Sequence, residues 1–96
     1  MILKILPSAL EDLDRGRRFY ARQRRNLGDY FLDSMFADID SLELYAGLHA
    51  RVFDFHRMLA RRFPYAVYYR LDADVCLVFR VLDCRQAPER TTAALK

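Results

Sequence analysis

The sequence predicts an α+β fold, an antiparallel sheet packed on an N-terminal hairpin of two helices. Three observations carry that expectation. Apolar residues recur every three or four positions through the first half of the chain. In the second half they alternate, with many aromatic and β-branched side chains. The length of 96 residues, half of them hydrophobic, suits one core and one domain spanning residues 1–96.

Ile2 to Leu6 is a short apolar run with Lys4 inside it and is expected to form a strand that Pro7 ends. Ser8-Ala9-Leu10-Glu11 has the spacing of a capping box, so Ser8 is the expected N-cap of the first helix. That helix is expected to run to about Arg25, with Leu10, Leu13 and Tyr20 near one face and Phe19 beside them. Asn26-Leu27-Gly28-Asp29 breaks it. The second helix is expected to start near Asp29, whose charge suits the positive end of the helix dipole. Phe31, Met35, Ile39, Leu42 and Ala46 form its apolar stripe, while Asp29, Asp33, Asp40 and Glu43 fall largely elsewhere. Gly47 is its expected C-cap. A short loop between two amphipathic helices predicts an antiparallel hairpin.

Strands follow. Val52-Phe53-Asp54-Phe55 alternates, and the stretch from His56 to Phe63 is ambiguous by period. Pro64 biases Phe63 toward an extended backbone and opens the strand Tyr65 to Leu71. Tyr65, Val67 and Tyr69 share one of its faces; Ala66, Tyr68 and Arg70 share the other. Asp72-Ala73-Asp74 is a turn signal before Val75 to Cys84. Strict alternation on that last strand groups Val75, Leu77, Phe79 and Val81 against Cys76, Val78, Arg80 and Leu82. Both faces are mostly apolar, which predicts a central strand covered on both sides. The helical stripe is expected to pack against Val67, Tyr69, Leu77, Phe79 or Val81. Pro88 ends the strand, and the tail to Lys96 is expected to be a short helix or a frayed end.

The charge pattern narrows the function classes. Residues 1–28 carry seven basic and three acidic side chains, residues 29–50 five acids and no Lys or Arg, and residues 51–70 five Arg against one Asp. Only Lys4 and Lys96 among the basic residues are not Arg, the side chain suited to bidentate contact with phosphate or carboxylate. A polar molecule with a basic face follows. No signal peptide is expected, and no apolar run reaches the roughly 18 residues of a membrane span. Cys76 and Cys84, placed on one strand, would stand roughly 26 Å apart, beyond disulfide reach. They are expected to be reduced thiols of a cytoplasmic protein. His49 and His56 are isolated, with surface or capping roles as the default, and no spacing resembles a metal site. No cofactor or metal is expected.

Several stretches resemble the RelE/ParE family of toxins from bacterial type II toxin–antitoxin systems, the plasmid-stabilisation type. Arg61-Arg62-Phe63-Pro64-Tyr65-Ala66-Val67-Tyr68-Tyr69-Arg70 is similar to the family's Arg-Arg-Phe-Pro-Tyr stretch. Val81-Leu82-Asp83-Cys84-Arg85-Gln86-Ala87-Pro88 resembles its closing strand. Leu6-Pro7-Ser8-Ala9-Leu10-Glu11-Asp12-Leu13 echoes its N-terminal pattern. The resemblance implies a growth-arresting toxin with a cognate antitoxin as partner, the pair forming either a dimer or a larger complex. It also implies one of two targets, DNA gyrase in the ParE-like branch or messenger RNA on the ribosome in the RelE-like branch.

Chemistry separates these branches. Cutting RNA needs a base for the 2′-hydroxyl, cations for the phosphate and an acid for the leaving oxygen. Where nuclease members carry a strand Arg, this chain has Ala66. Where some carry His and Tyr after the last strand, it has Gln86, Ala87 and Pro88, and no Tyr or His follows Arg70. Arg stays protonated and is a poor base; Glu89 is a lone exposed carboxylate. The expectation is therefore the ParE-like branch, without a hydrolytic site and with no catalytic residue assigned. Arg61, Arg62 and Arg85 are the expected phosphate- or target-binding residues, since an antiparallel sheet brings their strand ends together. The alternative is that they pair with acids of the second helix such as Asp33 or Asp40. A ribosome-dependent nuclease and a small interaction domain without toxicity remain the other readings.

Overall fold

The computed structural model describes residues 1–96. The chain runs β1 (Ile2–Ile5), α1 (Pro7–Ala21), α2 (Leu27–Asp40), α3 (Leu42–Tyr45), β2 (Arg51–Val52), β3 (Phe55–Leu59), β4 (Tyr65–Asp72), β5 (Val75–Asp83) and α4 (Pro88–Leu95). The five strands form one sheet in the order β1-β5-β4-β3-β2. β2 to β5 are joined antiparallel, as expected, and β1 adds to β5 in parallel. The helical hairpin lies on one face and α4 on the other, so β5 is central and covered on both sides.

The start of α1 differs from the capping-box expectation. Pro7 occupies the first helical position, where its fixed φ and missing N–H cost nothing, and Leu6 before it is extended. Ser8 is therefore already inside the helix. Its hydroxyl donates to the Phe79 carbonyl at 2.7 Å. α1 also ends at Ala21, short of Arg25, and α2 begins at Leu27. Leu13 and Tyr20 are buried as expected, but Leu10 and Phe19 are exposed. The hairpin closes tightly at Gly28, where a Cβ would lie 2.6 Å from the Arg17 carbonyl oxygen. Gly47 follows α3 with φ +91°, the left-handed backbone that Gly tolerates after a helix.

Beyond the hairpin, Phe31, Met35, Ile39 and Leu42 are buried with Val67, Tyr69 and Val81 in one core. The strict alternation assumed for the last strand fails at Phe79. Tyr68 pairs with Arg80 and Tyr69 with Val78, leaving Phe79 as an extra residue in a β-bulge. Past it the faces exchange. Cys76, Val78 and Val81 face the hairpin, while Phe79 packs in the second cluster with Phe55, Ala66, Tyr68, Leu82 and Leu95. Leu77 is half-buried and joins neither cluster. Phe53 and Asp54, read as part of an alternating strand, instead turn the chain between β2 and β3, with Phe53 at φ 56°.

β1 covers β5 only as far as Val78. From there α1 covers the strand's edge. Ser8 takes the Phe79 carbonyl, and Asp12, one helical turn on, accepts the Val81 N–H at 2.9 Å. The backbone groups released by the bulge and by the end of β1 are thus satisfied by two side chains spaced i, i+4 on one helix face.

Candidate functional site

One end of the sheet gathers the loop between β3 and β4, the end of β5 and the turn between α1 and α2. Pro64 and Cys84 join the first two, the Cys84 N–H donating to the Pro64 carbonyl at 2.8 Å. Phe63 joins the third. Its ring lies 4.9 Å from Tyr20, 5.0 Å from Phe31 and 5.7 Å from Tyr30, centroid to centroid. Phe19 continues this aromatic row, 5.1 Å from Tyr20 in an edge-on contact. Gly16 makes room for it on α1, since a Cβ there would meet the Phe31 ring at 2.5 Å.

Arg61, Arg62 and Arg85 all lie at this end, in different states. Arg61 and Arg62 are exposed in the β3–β4 loop. The loop is held through its main chain, the Arg61 N–H donating to the buried Asp38 carboxylate at 3.0 Å. An acid of α2 therefore does contact this segment, but it is Asp38, and it leaves the guanidinium free. Arg85 is engaged. Its Nε and terminal nitrogen bond both oxygens of Asp83 at 2.9 and 2.8 Å. Another contact reaches the Tyr20 hydroxyl at 3.2 Å, and the Phe19 ring lies under the guanidinium at 5.7 Å. Burial alone would raise the Asp83 carboxyl; the bonds from Arg85 outweigh it and hold it below the usual range. Burial, then the Asp83 charge, pushes the nearby Tyr65 phenol up to about 12. Arg85 pairs with neither Asp33 nor Asp40.

Beside Arg85 an open cleft of about 500 Å³ runs between α1 and α4 over the uncovered edge of β5. Asp12 sits at its base, nearly fully buried. Arg80 binds it through two nitrogens at 2.7 and 2.9 Å, and Arg15 adds a contact at 3.1 Å from the surface. The bonds to Asp12 outweigh the burial cost of the Arg80 charge. Only the backbone register explains this pair. The two residues stand 68 positions apart, and the sequence offers no signal that links them.

The opposite face holds residues that sequence reasoning missed. Arg57 on β3 and Tyr68 on β4 are cross-strand neighbours. The Arg57 Nε donates to the Tyr68 hydroxyl at 3.2 Å, and a terminal nitrogen lies 3.8 Å from the Cys84 sulfur. These line a shallower cleft with Phe53, Pro88 and Thr91 beneath α4. Alternation within β3 was the available signal, but its period was ambiguous. Ala66 is buried on the same face. Cys76 and Cys84 are both free thiols, with Cys84 just beyond β5.

A third cluster ties the segment after α3 to the sheet. The Gly47 N–H donates to the Tyr69 hydroxyl at 2.9 Å, and that hydroxyl in turn meets His49 Nδ1 at 2.5 Å. His56 stacks on the Tyr69 ring and its Nδ1–H donates to the His49 carbonyl at 3.0 Å. The two histidines are thus half-buried structural groups. No group of His, Cys, Asp and Glu is assembled to hold a metal ion, and no helix is long and apolar enough to cross a membrane.

Comparison with known proteins points one way. Residues 3–88 match the family described as ParE toxin of type II toxin–antitoxin system, parDE. Among solved structures, a chain from the chromosomal ParDE toxin–antitoxin system of P. aeruginosa superposes with a TM-score of 0.76 at 17% identity. The match covers 84% of this chain and 92% of that one, and at that identity it speaks for the fold. No curated protein matches the chain in sequence.

Proposed function

Because this chain belongs to the ParE toxin family of type II toxin–antitoxin systems, we propose that it arrests growth by poisoning DNA gyrase in the cytoplasm and is neutralised by a cognate antitoxin. It does so by binding, without a hydrolytic step of its own. One observation carries the choice of branch. At the position where nuclease relatives would place a strand Arg, Ala66 is buried beneath α4 with Leu82 and Leu95. The segment after β5 supplies Gln86, whose amide bonds Thr91, in place of a proton-transferring group. What remains exposed is charge. Arg61 and Arg62 present free guanidinium groups, and Arg85 is oriented by Asp83 at the rim of the cleft. Such groups bind phosphate or carboxylate in the target through planar, charge-assisted hydrogen bonds.

The antitoxin is expected to be the obligate partner. A segment disordered when free would fold over the hairpin and sheet as it binds. Co-expression with the adjacent gene and a tagged pull-down should recover both products.

Gyrase supercoiling with the purified chain tests the target, beside ribosome-dependent cleavage of messenger RNA. The expected result is loss of supercoiling, abolished by Arg85→Ala and partly kept by Arg85→Lys at nearly unchanged melting temperature. One observation favours the second reading. Arg57 and Tyr68 form a cation–phenol pair in a cleft of about 340 Å³, a place where a phosphodiester could lie. RNA fragments from ribosomes, lost in Tyr68→Phe, would move the assignment to a nuclease on that face.

A further inference from the structure

The basic residues of this chain divide by whether a carboxylate holds them. Arg15, Arg17, Arg18, Arg70, Arg80 and Arg85 are each paired with Asp12, Asp14, Asp54 or Asp83. Ten basic residues are not; five of them, Lys4, Arg51, Arg57, Arg90 and Lys96, lie in β1, β2, β3 and α4 and at the C-terminus, and the other five, Arg22, Arg24, Arg25, Arg61 and Arg62, are all exposed. Arg22, Arg24 and Arg25 lie in the turn between α1 and α2; Arg61 and Arg62 lie in the β3–β4 loop. Phe63 packs on Tyr20 before that turn and on Tyr30 and Phe31 after it, so the two segments share one end of the molecule. The acids there are few. Asp38 is buried on the Arg61 N–H and Asp83 is taken by Arg85. Only Asp29 and Asp33, on the first turns of α2, stay exposed without a partner.

The same end exposes aromatic rings. Tyr30 is 49% and Phe19 40% accessible, at the two ends of the row Tyr30–Phe63–Tyr20–Phe19. Their inner neighbours fix them in place. Exposed rings beside free guanidinium groups match a strand that offers phosphates and unpaired bases together. An acidic peptide would satisfy the Arg residues and leave the outer face of Tyr30 without a partner, while Phe19 keeps only Arg85 at 5.7 Å.

We infer that this end is a docking surface for a single-stranded nucleic acid. Arg22, Arg24, Arg25, Arg61 and Arg62 contact its phosphates, and Tyr30 or Phe19 stacks on a base. The inference rests on the reading above for Arg61 and Arg62 as contact residues. It names a strand as what they touch and needs no gyrase for its test.

The experiment is fluorescence anisotropy of a labelled single strand of about 16 nucleotides with the full chain. A duplex of the same sequence and polyglutamate serve as the other arms. Five phosphate contacts at a slope of about −0.7 each predict that Kd rises roughly 100-fold between about 50 and 200 mM salt. Replacing Arg22, Arg24 and Arg25 together by Ala should lower that slope by about 2. Tyr30→Ala should weaken single-strand binding about tenfold, the worth of one stacked base, with duplex binding little changed. Arg51→Ala, in β2 and away from this end, should leave the slope nearly as it was. Melting of each variant is read in parallel. Should the triple variant lose its fold, Arg24→Ala and Arg61→Ala alone carry the same test, each with a slope change near 0.7.

Binding that is absent at low salt overturns the inference. So does a duplex or polyglutamate held as tightly as the strand, or an Arg51→Ala loss equal to that of Arg24→Ala. Gyrase poisoning by a chain that binds no strand would remove this inference and leave the proposed function. Strand binding by a chain without effect on gyrase would do the reverse.

Discussion

The two faces of the sheet are closed by unequal means. Under α1, α2 and α3, fourteen buried residues form one cluster running from Ala9 to Val81. On the other face five buried residues form the cluster, and its helical side is supplied by Leu95 of α4 with the half-buried Ala94. The first face is a core in the ordinary sense, built from three helices and four strands. The second is a sheet surface covered by the last eight helical residues of the chain, which begin at a proline and make few side-chain bonds. Stability is concentrated on the first face. The second face, with Arg57, Tyr68 and Phe53 around its cleft, is where a helix is expected to lift at the smaller cost.

Substitutions on the two faces separate these roles. The largest effect is expected from Ile39→Asp. Ile39 has no accessible surface, and an unpaired charge there costs several kcal/mol, on the scale of total stability. The variant should show no cooperative thermal transition by circular dichroism. A parent-like melt would mean that the hairpin is not what holds the sheet.

At the edge between the two faces, Arg80→Ala leaves the buried Asp12 carboxylate with the Val81 N–H and the surface Arg15. A loss of about 2 kcal/mol is expected, below that for breaking a fully buried pair because Arg80 is partly exposed. Denaturant titration with an unchanged m-value would report it. An unchanged midpoint would show that the clamp adds nothing to the hydrogen bond of Val81.

Leu95→Asp should cost less, although it also places a charge in a buried position. α4 can swing away and let the carboxylate reach water, so the expected loss is about 1 kcal/mol, a fall in Tm of roughly 4–8 °C. Hydrogen exchange should rise in residues 88–95 and not in α2. A collapse as complete as that of Ile39→Asp would break the contrast between the faces.

The difference between the faces also explains what was legible in the sequence. The stripe Phe31, Met35, Ile39, Leu42 is periodic, and a periodic stripe reports burial directly. Its placement against Val67 and Tyr69 followed from strand alternation; on the last strand alternation grouped Val81 with Leu77 and Phe79, and only Val81 is in that core. Alternation failed where one extra residue entered, because a bulge at Phe79 is set by pairing between strands and leaves no mark in the period of either. Ser8 was misread for a related reason. Its position fits a cap, but Pro7 already starts the helix, and the hydroxyl serves a strand 71 residues away. That Arg61, Arg62 and Arg85 lie at one end of the sheet was legible because Pro64 opens one strand and Pro88 follows the end of the other. That Arg85 is held by Asp83, two positions back, was readable only with the turn geometry in hand.

The smallest expected effect lies in the segment that joins the heavily packed face to β2. Tyr69 is fully buried, and its hydroxyl accepts the Gly47 N–H; with the neutral His49 proton on Nε2, the phenol proton goes to His49 Nδ1. Protonating His49 would turn that acceptor into a second donor and leave the phenol proton without a partner. Burial, then the charge of His56 stacked on the same ring, lowers the His49 pKa from 6.5. The sign follows from proton binding. Above the unfolded value neither state holds the proton, and stability is flat. As pH falls through about 6.5 the unfolded chain takes up a proton first, so the folded state loses stability until its own lowered pKa is reached. Tm should therefore be level between about pH 8 and 7 and decline toward pH 5. In His49→Asn the side-chain oxygen still accepts from Tyr69 and has nothing to titrate. Its decline should be shallower than the parent's. Parallel curves for the two proteins would show that His49 takes up its proton alike in the folded and unfolded chain, and that the segment after α3 depends on the Gly47 N–H and on the His56 bond to the His49 carbonyl.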